Sequence, residues 1–220
     1  MNVPIAAETL FHIGSFPVTN AYVNSTLVVV LFSILAVGLR FKLSLVPGRL
    51  QNAFESVIEI LLEYFDQVTG DRQTSKRFLP FVGTLFMFIL VSNWMGLLPG
   101  TGSIGIWAEH GGELELFSIL RPANSDLNLT LAMAATSVIF SHIAGMFSLG
   151  FFVYWNKFIQ LGTVWKALIS LSPIKIMTAL VEFVVGFIEL FSEVAKVLSL
   201  SLRLFGNIFA GEVVLLTISS

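Results

Sequence analysis

Cysteine is absent from the 220 residues, and charge is scarce, with Asp, Glu, Lys and Arg making up 12% of the chain. The missing thiols exclude disulfide staples and thiolate metal centres. The missing charge is more informative. A soluble domain of this length carries about 25% charged residues. Here 55% of residues are hydrophobic and the mean hydropathy is +0.87. Most of a water-facing surface is therefore lacking, and the chain reads as an integral membrane protein. Its twelve Lys and Arg are scattered and the net charge is -2, so no basic patch suited to nucleic acid exists. Neither GxxxxGK[ST], HExxH nor GxSxG occurs, and no cluster of metal-ligating residues or nucleophile triad stands out. The sequence thus points to no cofactor, no metal and no catalysis of its own.

Residues 9 to 39, 78 to 108 and 127 to 156 contain no Asp, Glu, Lys or Arg. Each run exceeds the roughly 20 residues that cross a bilayer as a helix. Backbone polar groups in hydrocarbon must be satisfied within the segment, and the alternating ten-residue pattern of an outer-membrane barrel is missing, so helices are the solution. Nor is there an internal repeat of the transporter kind. The start of the chain has no basic n-region and carries Glu8, which speaks against a cleaved signal peptide. The expected fold is all-α: one polytopic membrane domain over residues 1 to 220, with an interfacial amphipathic helix and a long tilted membrane hairpin.

The expected spans are about 20–39, 78–98, 127–154, 174–195 and 197–220. The first closes at Arg40 and Lys42, and "VPGR" breaks the helix after it. In "LQNAFESVIEILLEYFDQV", about 50–68, Phe54, Val57, Ile58, Leu61, Tyr64, Phe65 and Val68 repeat at helical spacing, while Glu55, Glu59 and Glu63 form an acidic stripe. A helix bound by anionic lipid alone would be basic on that side, so the polar face is expected to meet water or a protein partner. The second span ends in "NWMGLLPGTG", where Pro and Gly mark a loop, and Asn93 sits at that end. Ser125 or Asp126 suits the N-cap of the third span. Ser172-Pro173 suits a cap followed by a first helical position.

Positive charge gives the orientation. Residues 1–39 hold no Lys or Arg, residues 40–77 hold six, the loop 99–126 holds one and residues 157–175 hold three. The excess marks the cytoplasmic or matrix side, so the N-terminus and the 99–126 loop lie opposite.

From Pro173 onward no further proline occurs, yet Glu182, Glu189, Glu193, Lys196, Arg203 and Glu212 interrupt an apolar stretch. It is either one long tilted helix or a hairpin broken near "SEVAK". Glu182, Glu189, Lys196 and Arg203 are each seven apart, a spacing that drifts only about 20° per step on a helix. Ser199 and Asn207 fall on the same stripe. Glu212 follows Arg203 by nine residues, about 900°, and so projects from the opposite face roughly 13 Å along the axis. The two cannot pair within one straight helix, so each needs a water-filled pocket or a partner chain. A charge at mid-membrane costs about 2.5 to 3.5 kcal/mol or more, and such residues usually line an ion pathway. Arginine stays protonated while a carboxylate can exchange a proton. Chemistry therefore assigns Arg203 as a fixed barrier or counter-ion, and Glu212 and Glu189 as proton carriers. Against this, Glu189 and Lys196 can simply neutralise each other. Ser199, Gly206 and Ala210 form a small-residue face that admits a closely approaching surface.

His142 lies within the third span, and an imidazole there suits either a proton wire or a satisfied core histidine. Asp126 and Asn128 open that span, as a helix cap or as an aqueous entrance.

"LSLRLFGNIFAGE", with "NWMGLLPG" and "RPANSDLNLTLAMA", resembles subunit a of the F-type ATP synthase over roughly residues 45 to 220. The resemblance implies a membrane stator subunit beside a rotating ring of c subunits, with peripheral-stalk b subunits, the rest of the ATP synthase complex and membrane lipid as partners. It implies that Arg203 is the essential arginine facing the ring carboxylate, and that Glu212, Asn207, Ser199 and Glu189 occupy polar positions of two proton half-channels. The family also implies a further membrane stretch after "TISS", so no complete half-channel is assigned. A bacterial plasma membrane is expected because the chain begins close to its first span, with the mitochondrial inner membrane as alternative. The rival function is a proton-coupled secondary transporter, using Arg203 for an anionic substrate and Glu212 for coupling.

Overall fold

The computed structural model describes residues 8–44, 46–97, 105–110, 113–119, 121–159, 162, 169 and 173–219. The chain divides into two compact units, Met1–Leu129 with Phe205–Ser220, and Thr130–Leu204.

In the first unit, strands β1 (Thr9–Ile13) and β2 (Phe16–Thr19) pair antiparallel around Gly14, whose φ of 62° is a turn conformation that favours glycine. Helix α1 (Asn20–Lys42) starts where the Thr19 hydroxyl accepts the Tyr22 N–H at 3.3 Å, an N-cap. It buries Ala21, Asn24 and Val28, spaced three and four apart on one face. Its length and composition suit a bilayer crossing, as do those of α3 (Arg72–Leu97) and α4 (Leu127–Leu149).

Helix α2 (Arg49–Thr69) is the amphipathic segment, and it ends at Gly70, left-handed at φ 69°, whose N–H donates to the Asp66 carbonyl at 2.9 Å. Asp71 then caps α3, its Oδ2 accepting the Thr74 N–H at 2.9 Å and the Thr74 hydroxyl at 2.7 Å. The acidic stripe is partly used inside the chain. Arg72 donates to Glu59 at 2.5 Å and to Asp66 at 2.6 Å. The Ser75 hydroxyl, and after it Arg72, hold the Asp66 carboxyl below its usual range. The Thr74 hydroxyl and N–H do the same for Asp71.

The 99–126 loop is not wholly irregular. Strands β3 (Gly105–His110) and β4 (Glu113–Ser118) form a second antiparallel hairpin, and a 3-10 turn covers Ala123–Ser125. Of "NWMGLLPG", residues 98–100 lie outside the described residues.

In the second unit the third span is shorter than expected: α4 stops at Leu149 instead of running to about 154. Gly150 takes φ 87°, its N–H donates to the Met146 carbonyl at 2.9 Å, and α5 (Phe151–Ile159) starts anew. Gly145 receives the Tyr154 ring, which would come within 2.4 Å of a Cβ placed there. The buried hydroxyls of Thr130 and Ser201 meet at 3.2 Å.

Residues Pro173–Ser219 form one uninterrupted helix, α6, in place of a hairpin with spans at 174–195 and 197–220. No proline follows Pro173, and "SEVAK" offers strong helix formers and no turn residue, so nothing breaks the backbone ladder there.

Candidate functional site

The polar side chains of the first unit converge on the end of α3, the 121–125 segment and the last turns of α6. Arg121 Nε donates to Glu212 Oε1 at 2.8 Å, with the arginine side chain 6% and the glutamate 14% exposed. The arginine is placed by its backbone. Its carbonyl accepts Asn24 Nδ2 at 2.8 Å, and the same amide reaches the Ser92 carbonyl at 3.2 Å. The next residue, Pro122, lies against Gly96, where a Cβ would stand 2.3 Å from the proline Cγ. Ser125 closes the turn, donating both its N–H and its hydroxyl to the Pro122 carbonyl at 3.0 and 2.7 Å.

Asn124, fully buried, is the second hub. Its Nδ2 lies 2.6 Å from Asn93 Oδ1, 3.1 Å from Ser92 Oγ and 3.3 Å from the Ile89 carbonyl. Beside these groups is a cavity of about 240 Å³ lined by Asn93, Pro122, Asn207, Ile208, Gly211 and Glu212. Glu212 Oε2, Asn24 Oδ1 and Asn124 Oδ1 are buried acceptors that receive no hydrogen bond from the described protein. The wall of this space is mostly apolar, with Asn93, Asn207 and Glu212 as its polar residues, so any water it holds has its hydrogen-bond partners at those three side chains.

The second unit holds a separate titratable cluster. His142 Nδ1 lies 2.6 Å from the Tyr154 hydroxyl, and His142 Nε2 lies 3.7 Å from Glu193 Oε2. Glu193 Oε1 accepts from Lys196 at 2.7 Å. Lys196 therefore pairs three residues back, with Glu193 and not with Glu189. Glu189 is half-buried and has an interaction of its own, and Ser199 and Arg203 are exposed. Among the described residues Arg203 has no hydrogen-bond or ion-pair partner, whereas Arg121 and Lys196 are both engaged.

Of the residues singled out in the sequence, Glu212, Asn207 and Asn93 share one cavity. Asp126 proves to be a helix cap, its Oδ1 accepting the Asn128 N–H at 3.0 Å. His142 belongs with Glu193 and Tyr154. Sequence reasoning missed Arg121, Asn124 and Asn24. Glu212 is also offset differently from either alternative taken alone: its counter-charge comes from this same chain, while the residue also lines a cavity. The available signal was arithmetic, because a lone arginine in an otherwise acidic loop needs a carboxylate once it is buried.

Charged side chains held within an otherwise apolar, multi-helix body define a polytopic membrane protein built around ionisable groups. Residues 22–220 match the ATP synthase A chain family. An ATP synthase subunit a from Mycobacterium ulcerans is 33% identical over 203 residues, 91% of this chain and 70% of the relative. One from Moorella thermoacetica is 30% identical over 205 residues, 93% and 75% of the two chains. A sodium-ion-specific subunit a from Propionigenium modestum is 32% identical over 214 residues, 96% of this chain and 64% of its own. The chain belongs to the ATP synthase A chain family, a non-catalytic membrane subunit on the stator side of the F-type ATP synthase.

Proposed function

We propose that this subunit carries protons between the two membrane faces and a ring of c subunits through two half-channels, with Arg203 as the barrier between them. The observation that carries the reading is Arg203 itself. It is an exposed guanidinium on an apolar helix, without a partner among the described residues, beside the exposed apolar Leu200 and Leu202. A permanent cation on a lipid-facing surface is costly, so a carboxylate from another chain is the partner that suits it. The small Ser199, Gly206 and Ala210 beside it favour close approach.

The cavity beside Glu212, Asn207 and Asn93 serves as the half-channel on the side of the 99–126 loop, with Asp126 and Asn128 toward its mouth. Glu189, Ser199 and His142 serve the other. Peripheral-stalk b subunits hold the chain against the ring, and the complex sits in a bacterial inner membrane. One proton crossing 100 mV yields about 2.3 kcal/mol, so several must act in turn on one ring, and a leak between half-channels would waste them.

The test is Arg203→Ala in the reconstituted complex. ATP synthesis driven by a proton gradient is expected to vanish while the assembled complex still copurifies with its ring; undiminished synthesis rejects the role. Repeating the wild-type assay with a sodium gradient separates the proton from the ion named for the Propionigenium relative.

A further inference from the structure

We propose that Arg121 is a positioning residue of the ion path: it holds the Glu212 carboxylate by Oε1 and leaves Oε2, buried and without a donor from the described protein, as the oxygen that exchanges the proton. The inference rests on the reading of Glu212 as a path carboxylate.

Three observations carry it. First, the pairing is one-sided: Arg121 Nε takes Glu212 Oε1 at 2.8 Å, and Oε2 is buried with no donor from the described protein. A carboxylate has two oxygens and about four lone-pair sites, so a charged donor on one oxygen disfavours a proton there and leaves the other as the exchange point. Second, the arginine is held from behind. Asn24 grips its carbonyl at 2.8 Å, Pro122 is wedged on Gly96, and Ser125 locks the Pro122 carbonyl. A side chain with so many rotatable bonds aims a partner only when its root is fixed. Third, a guanidinium is never deprotonated in proteins. A proton reaching Glu212 therefore cannot continue through Arg121 and must return to the cavity side, toward Asn93 and Asn207. Of the residues lining the cavity only Glu212 titrates, Asn93 and Asn207 being neutral amides, and the charge set against Glu212 is that of Arg121.

The chain lacks cysteine, so Glu212→Cys places a unique thiol in this subunit. Intact complexes carrying E212C are labelled with an anionic and with a cationic methanethiosulfonate of similar size, and adducts on this chain are counted by mass spectrometry. The anionic reagent is expected to react about tenfold faster, and adding Arg121→Gln is expected to abolish that preference. An identical anion-to-cation ratio in both backgrounds overturns the positioning role while leaving the water path standing. Failure of both reagents to react overturns the water path and, with it, the proposal. In parallel, passive proton flux is measured for Arg121→Gln and Arg121→Lys in complexes shown to retain ring and headpiece. Flux is expected to fall about tenfold with Gln and less with Lys, whose single ammonium keeps the charge but holds the carboxylate less rigidly. Wild-type flux in R121Q refutes the role. Should R121Q fail to assemble, wild-type flux in R121K refutes it.

Discussion

Gly96 and Pro122 touch so closely that a Cβ at residue 96 would lie 2.3 Å from the proline Cγ and 2.5 Å from its backbone nitrogen. The obstacle includes backbone, so no rotamer change relieves it. This contact seats the 121–125 segment on α3 and thereby sets the depth of Arg121. Gly96→Ala is expected to destabilise the subunit by about 1 to 3 kcal/mol, the usual cost of overpacking. Thermal unfolding in detergent measures this. An unchanged midpoint would mean that the segment can shift without loss.

The corner between α2 and α3 gives a pH prediction. Asp66 and Asp71 are held below the usual carboxylate range, by the Ser75 hydroxyl and Arg72 and by the Thr74 hydroxyl and N–H respectively. A carboxylate whose folded pKa is depressed binds its proton more readily when unfolded. Its contribution is therefore fully present above the unfolded value, about 4, and is lost as pH falls through the lower folded value. Asp71→Ala, which removes the α3 cap, is expected to lower the unfolding midpoint at pH 7, and the gap from wild type should close as the buffer is taken well below pH 4. A gap that stays constant down to acid would show that the charge is irrelevant there.

Much of this architecture was legible because it is written locally. Charge-free runs mark α1, α3 and α4, and the seven-residue apolar repeat from Phe54 to Val68 marks α2, because bilayer thickness and helical period act on neighbouring residues. The break at Gly150 was hidden, since apolar residues flank it on both sides and a single left-handed glycine leaves no compositional trace. Arg121 was hidden for another reason. It sits 91 residues from Glu212, and only tertiary folding joins them. Spacing along α6 did separate Arg203 from Glu212, and both lie in one unbroken helix, but spacing cannot name a counter-ion from a distant loop.

Thr130 and Ser201 bring two buried hydroxyls together at 3.2 Å between α4 and α6. Thr130→Val preserves the shape and removes this partner. Ser201 can fall back on a carbonyl of its own helix, so the expected loss is modest, about 1 kcal/mol. Chemical unfolding in mixed detergent should detect it, and the double variant Thr130→Val, Ser201→Ala should recover part of it. Strict additivity of the two substitutions would show that the hydroxyls do not interact.

Asn24 is fully buried in α1, and its amide donates to the carbonyls of both Ser92 and Arg121. It is thus the strut through which α1 fixes the root of the buried arginine. Asn24→Leu keeps the branching and number of side-chain heavy atoms and brings no new polar atom, but leaves two carbonyls short of a donor, at an expected cost of about 1 to 3 kcal/mol. Asn24→Asp is expected to be worse despite its closer shape, because it sets acceptors against acceptors in a place where burial penalises the charge. The order wild type, Leu, Asp in unfolding midpoint therefore distinguishes a donor from a space-filler. If the strut acts through Arg121, Asn24→Leu should also lower passive proton flux in assembled complexes. Equal midpoints for Leu and Asp, with flux unchanged in both, would show that α1 does not hold the arginine in place.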